Sequence, residues 1–253
     1  MNPRIRPLLY RLLALAIGSM VFAIFAPTVV EAADPPTVHS LDSTTKKLQI
    51  SIDTTWVLLT GFLVFFMQTG FSMLEGGLLR QRGVINALLK NFVDPAVTIL
   101  VWWGVSFGIA FGTSVGGFIG TDTFFLSQLP TDGAFPSRGV LGRASNLNAY
   151  TLFFFQFAFA ATASKITTGS MAGRTDLVGD LIDSDMMGAF SYPLIVHWVW
   201  NANGWLAKMS FHNFAGSAVV HTVGGWTAIV GTYLLGPRPG RTHWGTLPLA
   251  HNL

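Results

Sequence analysis

The sequence has no cysteine and little charge. Without cysteine, disulfides, thiolate metal sites and cysteine nucleophiles are excluded outright. Asp, Glu, Lys and Arg make up 11% of the 253 residues, against about 25% in an ordinary globular domain. A water-soluble protein of this length needs more charge to cover its surface, so a cytosolic enzyme and a disordered chain are both poor fits. What fills the chain instead is apolar: 51% hydrophobic residues, with 21 Phe and 8 Trp against 4 Tyr. The class is an all-α polytopic membrane protein. The net charge of +3 makes no case for nucleic acid, because Arg4, Arg6 and Arg11 sit together at the N-terminus, a pattern that suits targeting.

Those arginines precede an apolar run from Leu12 to Val30, then Glu31, Ala32, Ala33, Asp34 and the pair Pro35-Pro36. A basic start, an apolar stretch and small residues before a polar proline pair read as a signal peptide over residues 1–33, cleaved near Ala32 or Ala33. The alternative is an uncleaved first membrane helix. Either way, the mostly polar residues 34–53 form an extracytoplasmic segment, and the membrane domain runs over 54–253.

A helix needs about 20 mostly apolar residues to cross the hydrocarbon core. Five segments qualify: Thr54–Leu79, Phe92–Phe111, Tyr150–Met171, Met186–Leu206 and Phe214–Leu235. With the N-terminal segment outside, Arg80, Arg82, Lys90, Arg174, Arg238 and Arg241 fall on the cytoplasmic side, as the positive-inside rule favours. Two features disturb the pattern. Lys165 falls inside the third span, and Asp176, Asp180, Asp183 and Asp185 crowd the start of the fourth. The aspartates are expected, with Arg174, in a water-facing cytoplasmic loop. A pair between Lys165 and the nearest of them would need a bend and is not relied on.

Polar groups within spans need a reason, because lipid offers no partner. Gln68, Glu75, Gln156, Lys165, His197, Asn201, Asn203 and His221 are such groups. For Gln68, Gln156 and His197 the plain reading is a hydrogen bond between helices. Glu75 and Arg80, near the cytoplasmic end of the first span, pair there or are solvated. His221 follows the small residues Ala215, Gly216, Ser217 and Ala218, which let another helix approach. An imidazole there takes or gives a proton near neutral pH, or is simply structural. The rings Phe153, Phe154, Phe155, Phe157 and Phe159, with Trp198, Trp200 and Trp205, form an interfacial belt or, in part, a cage for a small cation.

Met67-Gln68-Thr69-Gly70-Phe71-Ser72-Met73-Leu74-Glu75-Gly76-Gly77-Leu78 resembles the first span of the ammonium transporter family (Amt/Mep/Rh). Asn86-Ala87-Leu88-Leu89-Lys90-Asn91-Phe92, the run from Phe153 to Ala163, the run from Phe214 to His221, and Gly236-Pro237-Arg238-Pro239-Gly240-Arg241 are similar to later parts of it. The resemblance covers roughly residues 50–253. It implies the first five-helix half of an eleven-span inverted-repeat fold, a homotrimer, and a multi-pass place in the plasma or inner cell membrane. It also implies ammonium or ammonia as cargo. Phe155 and Trp200 would line the outer recruitment site, with Asn213 beside them. Phe159 would be the outer ring of a phenylalanine gate, and His221 the first of two pore histidines. Deprotonation at the mouth, then separate passage of NH3 and the proton, is the implied mechanism. A trimeric PII-type regulator on the cytoplasmic face is the implied partner, and no cofactor or metal is called for.

The chain departs from the family in three ways. Asn213 stands where the family has Asp, so conduction is expected to be weak or absent. The string from Pro248 to Leu253 stands where the family enters its sixth span, so one half alone is not expected to conduct. A Glu usual near Gly173 is missing, and the aspartate series and Lys165 are unusual. The second reading is therefore a non-conducting ammonium sensor on the same fold. An intramembrane enzyme has little to build on: Ser217 and His221, four residues apart, are a spacing common by chance, and Gly76-Gly77 and Gly116-Gly117 lack the strand–helix context of phosphate loops.

Overall fold

Backbone polar groups in lipid must bond within the chain, which leaves helices as the answer for apolar spans. A computed structural model describes residues 38–129 and 147–238; the expected signal peptide lies outside the described residues. The chain divides after Lys46 into two compact units, and the second carries the whole candidate site.

Helix α1 (Val38–Leu78) is followed by α2 (Gln81–Val101), which runs through a π-helical turn (Trp102–Ser106) into α3 (Phe107–Phe111). A short antiparallel ribbon, β1 (Ser114–Val115) and β2 (Ile119–Gly120), closes the following loop. Helix α4 (Ala149–Met171) comes next, then α5 (Leu177–Met186), a second π turn (Met187–Ser191) and α6 (Tyr192–Trp200). After the short α7 (Trp205–Lys208), a third π turn (Ser217–Thr222) leads into α8 (Val223–Leu235).

Helix occupies most of each of the five segments expected from hydropathy, but three begin well earlier, the first at Val38 rather than Thr54. The second starts at Gln81 rather than Phe92, and the fourth at Leu177 rather than Met186. The aspartates expected in a water-facing loop are therefore at or within a helix. The Asp176 carboxylate accepts from the Gly179 N–H at 2.7 Å and caps α5, while Asp180 is buried. Among the described residues, three stretches are long and apolar enough to cross a membrane: Leu41–Leu78, Gln81–Phe111 and Ser217–Leu235. Helix α4 is not among them for a physical reason. Fifteen of its 23 residues are buried, among them Gln156, Thr162, Ser164, Lys165, Thr167 and Thr168. It faces protein rather than lipid, so it carries polar side chains and its hydropathy falls.

Helix α4 packs against α8, α2 and α5. Close approach of α8 rests on Gly224, where a Cβ would lie 2.9 Å from Ile166 Cβ and 3.0 Å from the Ala163 carbonyl. Two buried ion pairs tie the other contacts. Lys165 Nζ lies 2.7 Å from Asp94 Oδ2, with both side chains at least nineteen-twentieths buried. Ser164 and Ser184 hydroxyls donate to the other oxygen, Asp94 Oδ1. One carboxylate thus joins α2, α4 and α5. One turn away on α2, Lys90 pairs with Asp180, donates to the Thr175 carbonyl at 3.0 Å, and Thr175 Oγ1 donates to Asp180. The pair between Lys165 and the downstream aspartates, which would need a bend, does not form: the partner of Lys165 is Asp94, in the second helix.

Arginines close the same end of the bundle. Arg174 Nη1 donates to the Gly236 carbonyl at 2.7 Å and to that of Thr232 at 3.4 Å, at the end of α8. Arg238 Nη1 donates to the Leu78 carbonyl at 3.1 Å, the last residue of α1. Cations there satisfy orphan carbonyls and oppose the helix dipole. Because breaking a buried pair strands the other charge, Lys165→Met should destabilise the chain by about 3–5 kcal/mol, and adding Asp94→Leu should recover most of that loss. Thermal unfolding of the three proteins in one detergent checks the order.

Candidate functional site

Of the site residues expected from the sequence, three meet directly. The Phe155 and Phe159 rings are edge-to-face at 5.1 Å, and Phe159 and Trp200 are edge-to-face at 5.8 Å. All three are half-buried. The spacing explains it: residues four apart share a helix face, so Phe155 and Phe159 stack along α4, while Trp200 ends α6 and leans onto them. The other rings do different work. Trp198 donates its indole N–H to the Phe118 carbonyl at 2.8 Å and packs against Trp205 and Phe118. Trp102 Nε1 donates to the Phe153 carbonyl at 3.2 Å.

Asn213 lies in the segment that leads into the third π turn. Its Oδ1 accepts from the N–H groups of Ala218 at 2.7 Å and Val219 at 3.3 Å, and from the Ser217 hydroxyl at 3.3 Å. That is the work of a helix cap, which a carboxylate or an amide oxygen performs alike. The Asn213 Nδ2 is buried with no hydrogen-bond partner. The chain reaches this geometry through two left-handed residues, Ala215 (φ 51°) and Gly216 (φ 81°). Gly216 suits a positive φ at no steric cost, and a Cβ there would lie 3.7 Å from the Trp200 ring. The capped turn and the aromatic trio are therefore neighbours.

His221 sits inside the same π turn, exposed, between the fully buried Val219 and Val220 and the helix proper. Ser217 donates to Asn213 rather than to His221, so no nucleophile–base contact forms. His197 is fully buried and structural. Its Nδ1 faces the Ala110 carbonyl at 3.0 Å and its Nε2 the Ser114 hydroxyl at 2.8 Å, which fixes the proton on Nδ1. Asn201 Nδ2 donates to the Ala110 and Gly112 carbonyls at 3.2 Å each, so the pair satisfies the end of α3. Gln68 donates to Thr162 Oγ1 at 3.4 Å, an interhelical contact as expected, whereas Gln156 is buried with neither side-chain atom bonded.

Sequence reasoning passed over Asp94. It looked like one polar residue in an apolar run; the signal that would have found it is Lys165, a buried cation that demands an anion. Glu75, which was expected to pair with Arg80 or to be solvated, does neither. It is buried and its Oε1 has no hydrogen-bond partner. Among the described residues no cluster of His, Asp or Glu is arranged to hold a metal.

Comparison with known proteins adds an independent line. The model of the Ammonium Transporter Family matches residues 55–252. Ammonium transporter Amt2 of Archaeoglobus fulgidus is 34% identical over 94% of this chain and 50% of its own length. Ammonium transporter 3 of Dictyostelium discoideum is 37% identical over 80% of this chain and 43% of its own. Among solved structures, a protein titled Sensor Amt Protein superimposes with a TM-score of 0.69 at 36% identity, covering 76% of this chain and 46% of that one. Mep2 of Saccharomyces cerevisiae gives 0.65 at 28% identity, over 73% and 39%. The chain spans about half the length of the curated relatives it matches, or less. On the family match and on these relatives, the chain belongs to the ammonium transporter family.

Proposed function

We propose that this membrane protein carries part of an ammonium pathway, its outer recruitment site included, and is no enzyme. The observation that supports it is the contiguous wall Phe155–Phe159–Trp200 beside the turn capped by Asn213. Ring faces replace part of the water that NH4+ gives up. Apolar walls beyond them disfavour the bare ion, so the cation loses its proton at the mouth. In this reading Phe155, Trp200 and Asn213 bind the cation, and Phe159 gates the pore. His221 takes the proton onward, and NH3 crosses apart from it. K+ has no proton to give up, which supplies selectivity. The relatives' membership in the family supports the wider setting: a first five-helix half, a homotrimer in the cell membrane, and a PII-type regulator on the cytoplasmic face.

A non-conducting sensor is the second reading. Two observations favour it: Asn213 keeps the cap without a negative charge, and the chain is 36% identical to the solved protein titled Sensor Amt Protein.

Methylammonium flux into liposomes, for this chain and for a chain extended by a second family half, separates the readings. Flux in the extended form supports transport; binding without flux supports sensing. Trp200→Ala should weaken methylammonium binding about tenfold, the loss of one well-placed ring, read by calorimetry. Asn213→Asp retains the cap and adds a charge, so it should tighten methylammonium binding; no gain would show that this position does not limit affinity. Asn213→Ala removes the cap and should cost about 1 kcal/mol of stability, measured by thermal unfolding.

A further inference from the structure

Five charged side chains are buried among the described residues: Glu75, Lys90, Asp94, Lys165 and Asp180. Four of them form the two ion pairs Lys90–Asp180 and Lys165–Asp94. Glu75 is the carboxyl left over. It is 7% exposed, no cation lies within ion-pair distance, and its Oε1 lacks any hydrogen-bond donor. A carboxylate so buried, with no ion partner at contact distance, is costly.

The carboxyl has room to react. It borders a cavity of about 320 Å³ lined also by Phe71, Lys165, Gly169, Ser170 and Arg238. Gly169 makes the approach possible, since a Cβ there would lie 2.7 Å from Glu75 Oε1. The charged and polar groups acting on Glu75 are Lys165 and Asp94, Asn91 and Asp180, with Arg238 on the cavity wall. Position completes the case. Glu75 lies near the end of α1 that the charge distribution assigns to the cytoplasm. Along α4, Gly169 is 14 residues from Phe155, about 20 Å at the helical rise. The aromatic wall and Glu75 thus mark opposite ends of one rod.

We infer that Glu75 is the acid that returns a proton to ammonia at the inner end of the pathway. This rests on the ammonium reading above. The carboxyl O–H bond breaks as an N–H bond forms: NH3 leaves as NH4+ and Glu75 becomes a carboxylate. Lys165 and Arg238 beside it temper that charge until the proton released at the outer mouth restores the acid. Asp94 already balances Lys165, so the new carboxylate is not locked into a permanent pair. Intramembrane carboxyls serve as proton relays on the same physical grounds.

Infrared difference spectroscopy of the full chain in lipid vesicles tests this, with ammonium chloride as the probe and sodium chloride as control. The wild type should show the C=O band of a neutral carboxyl that bleaches on ammonium addition. Glu75→Gln should lose the band while methylammonium binding at the outer site is unchanged. Gly169→Ala, which crowds Oε1, should shift the band's frequency. If methylammonium binds but the wild type shows no such band, or shows one that Glu75→Gln keeps or ammonium leaves untouched, the inference falls and the ammonium reading stands. If the wild type binds no methylammonium, the reading falls and the inference with it.

Discussion

A charge held away from water must be met by another charge, and in this chain that condition sets how the helices register. Lys90 and Asp94 lie four residues apart on α2, and Asp180 and Ser184 lie four apart on α5. Lys90 meets Asp180 while Asp94 meets Ser184. Slipping either helix by one residue breaks both contacts and strands two ions in a medium that penalises each by several kcal/mol. Lys165 then fixes α4 against the same Asp94. An all-apolar seam in lipid has no comparable preference for one register, since side chains meet the same surroundings in protein and in hydrocarbon.

The two ends of the bundle are finished by opposite chemistry. At one end, Arg174 and Arg238 cover the last carbonyls of α8 and α1. At the other, Asn213 collects the first N–H groups of the turn leading into α8. Cation at the C-terminus and acceptor at the N-terminus both follow from the helix dipole. The Asn213 side chain therefore has a duty that its neutral charge does not impair. The oxygen serves the fold, and the Nδ2 on the other branch is buried without a hydrogen-bond partner.

Much of this was legible in the sequence. Gln68 is read there as an interhelical hydrogen bond and makes one, to Thr162. The aspartate series misled because hydropathy treats each charge as solvated. Asp176 caps its own helix, a local role, whereas Asp180 is an ion-pair partner and depends on what the fold brings up from α2. Lys165 was conspicuous, but its partner stands 71 positions earlier in an apolar run. Charge pairing over that distance is a property of packing, and one sequence does not display it. Glu75 was misplaced for the same reason, since its solvation was judged from its place near a helix end while Gly169 on α4 decides it.

Among the described residues the interior holds two basic and three acidic side chains. The imbalance cannot be spread evenly, because Asp94 and Asp180 each already hold a lysine at contact distance and accept hydroxyl donors as well. Glu75 has no ion partner at contact distance and borders a cavity. The ion pairs that hold the helices in register are thus also what set Glu75 apart.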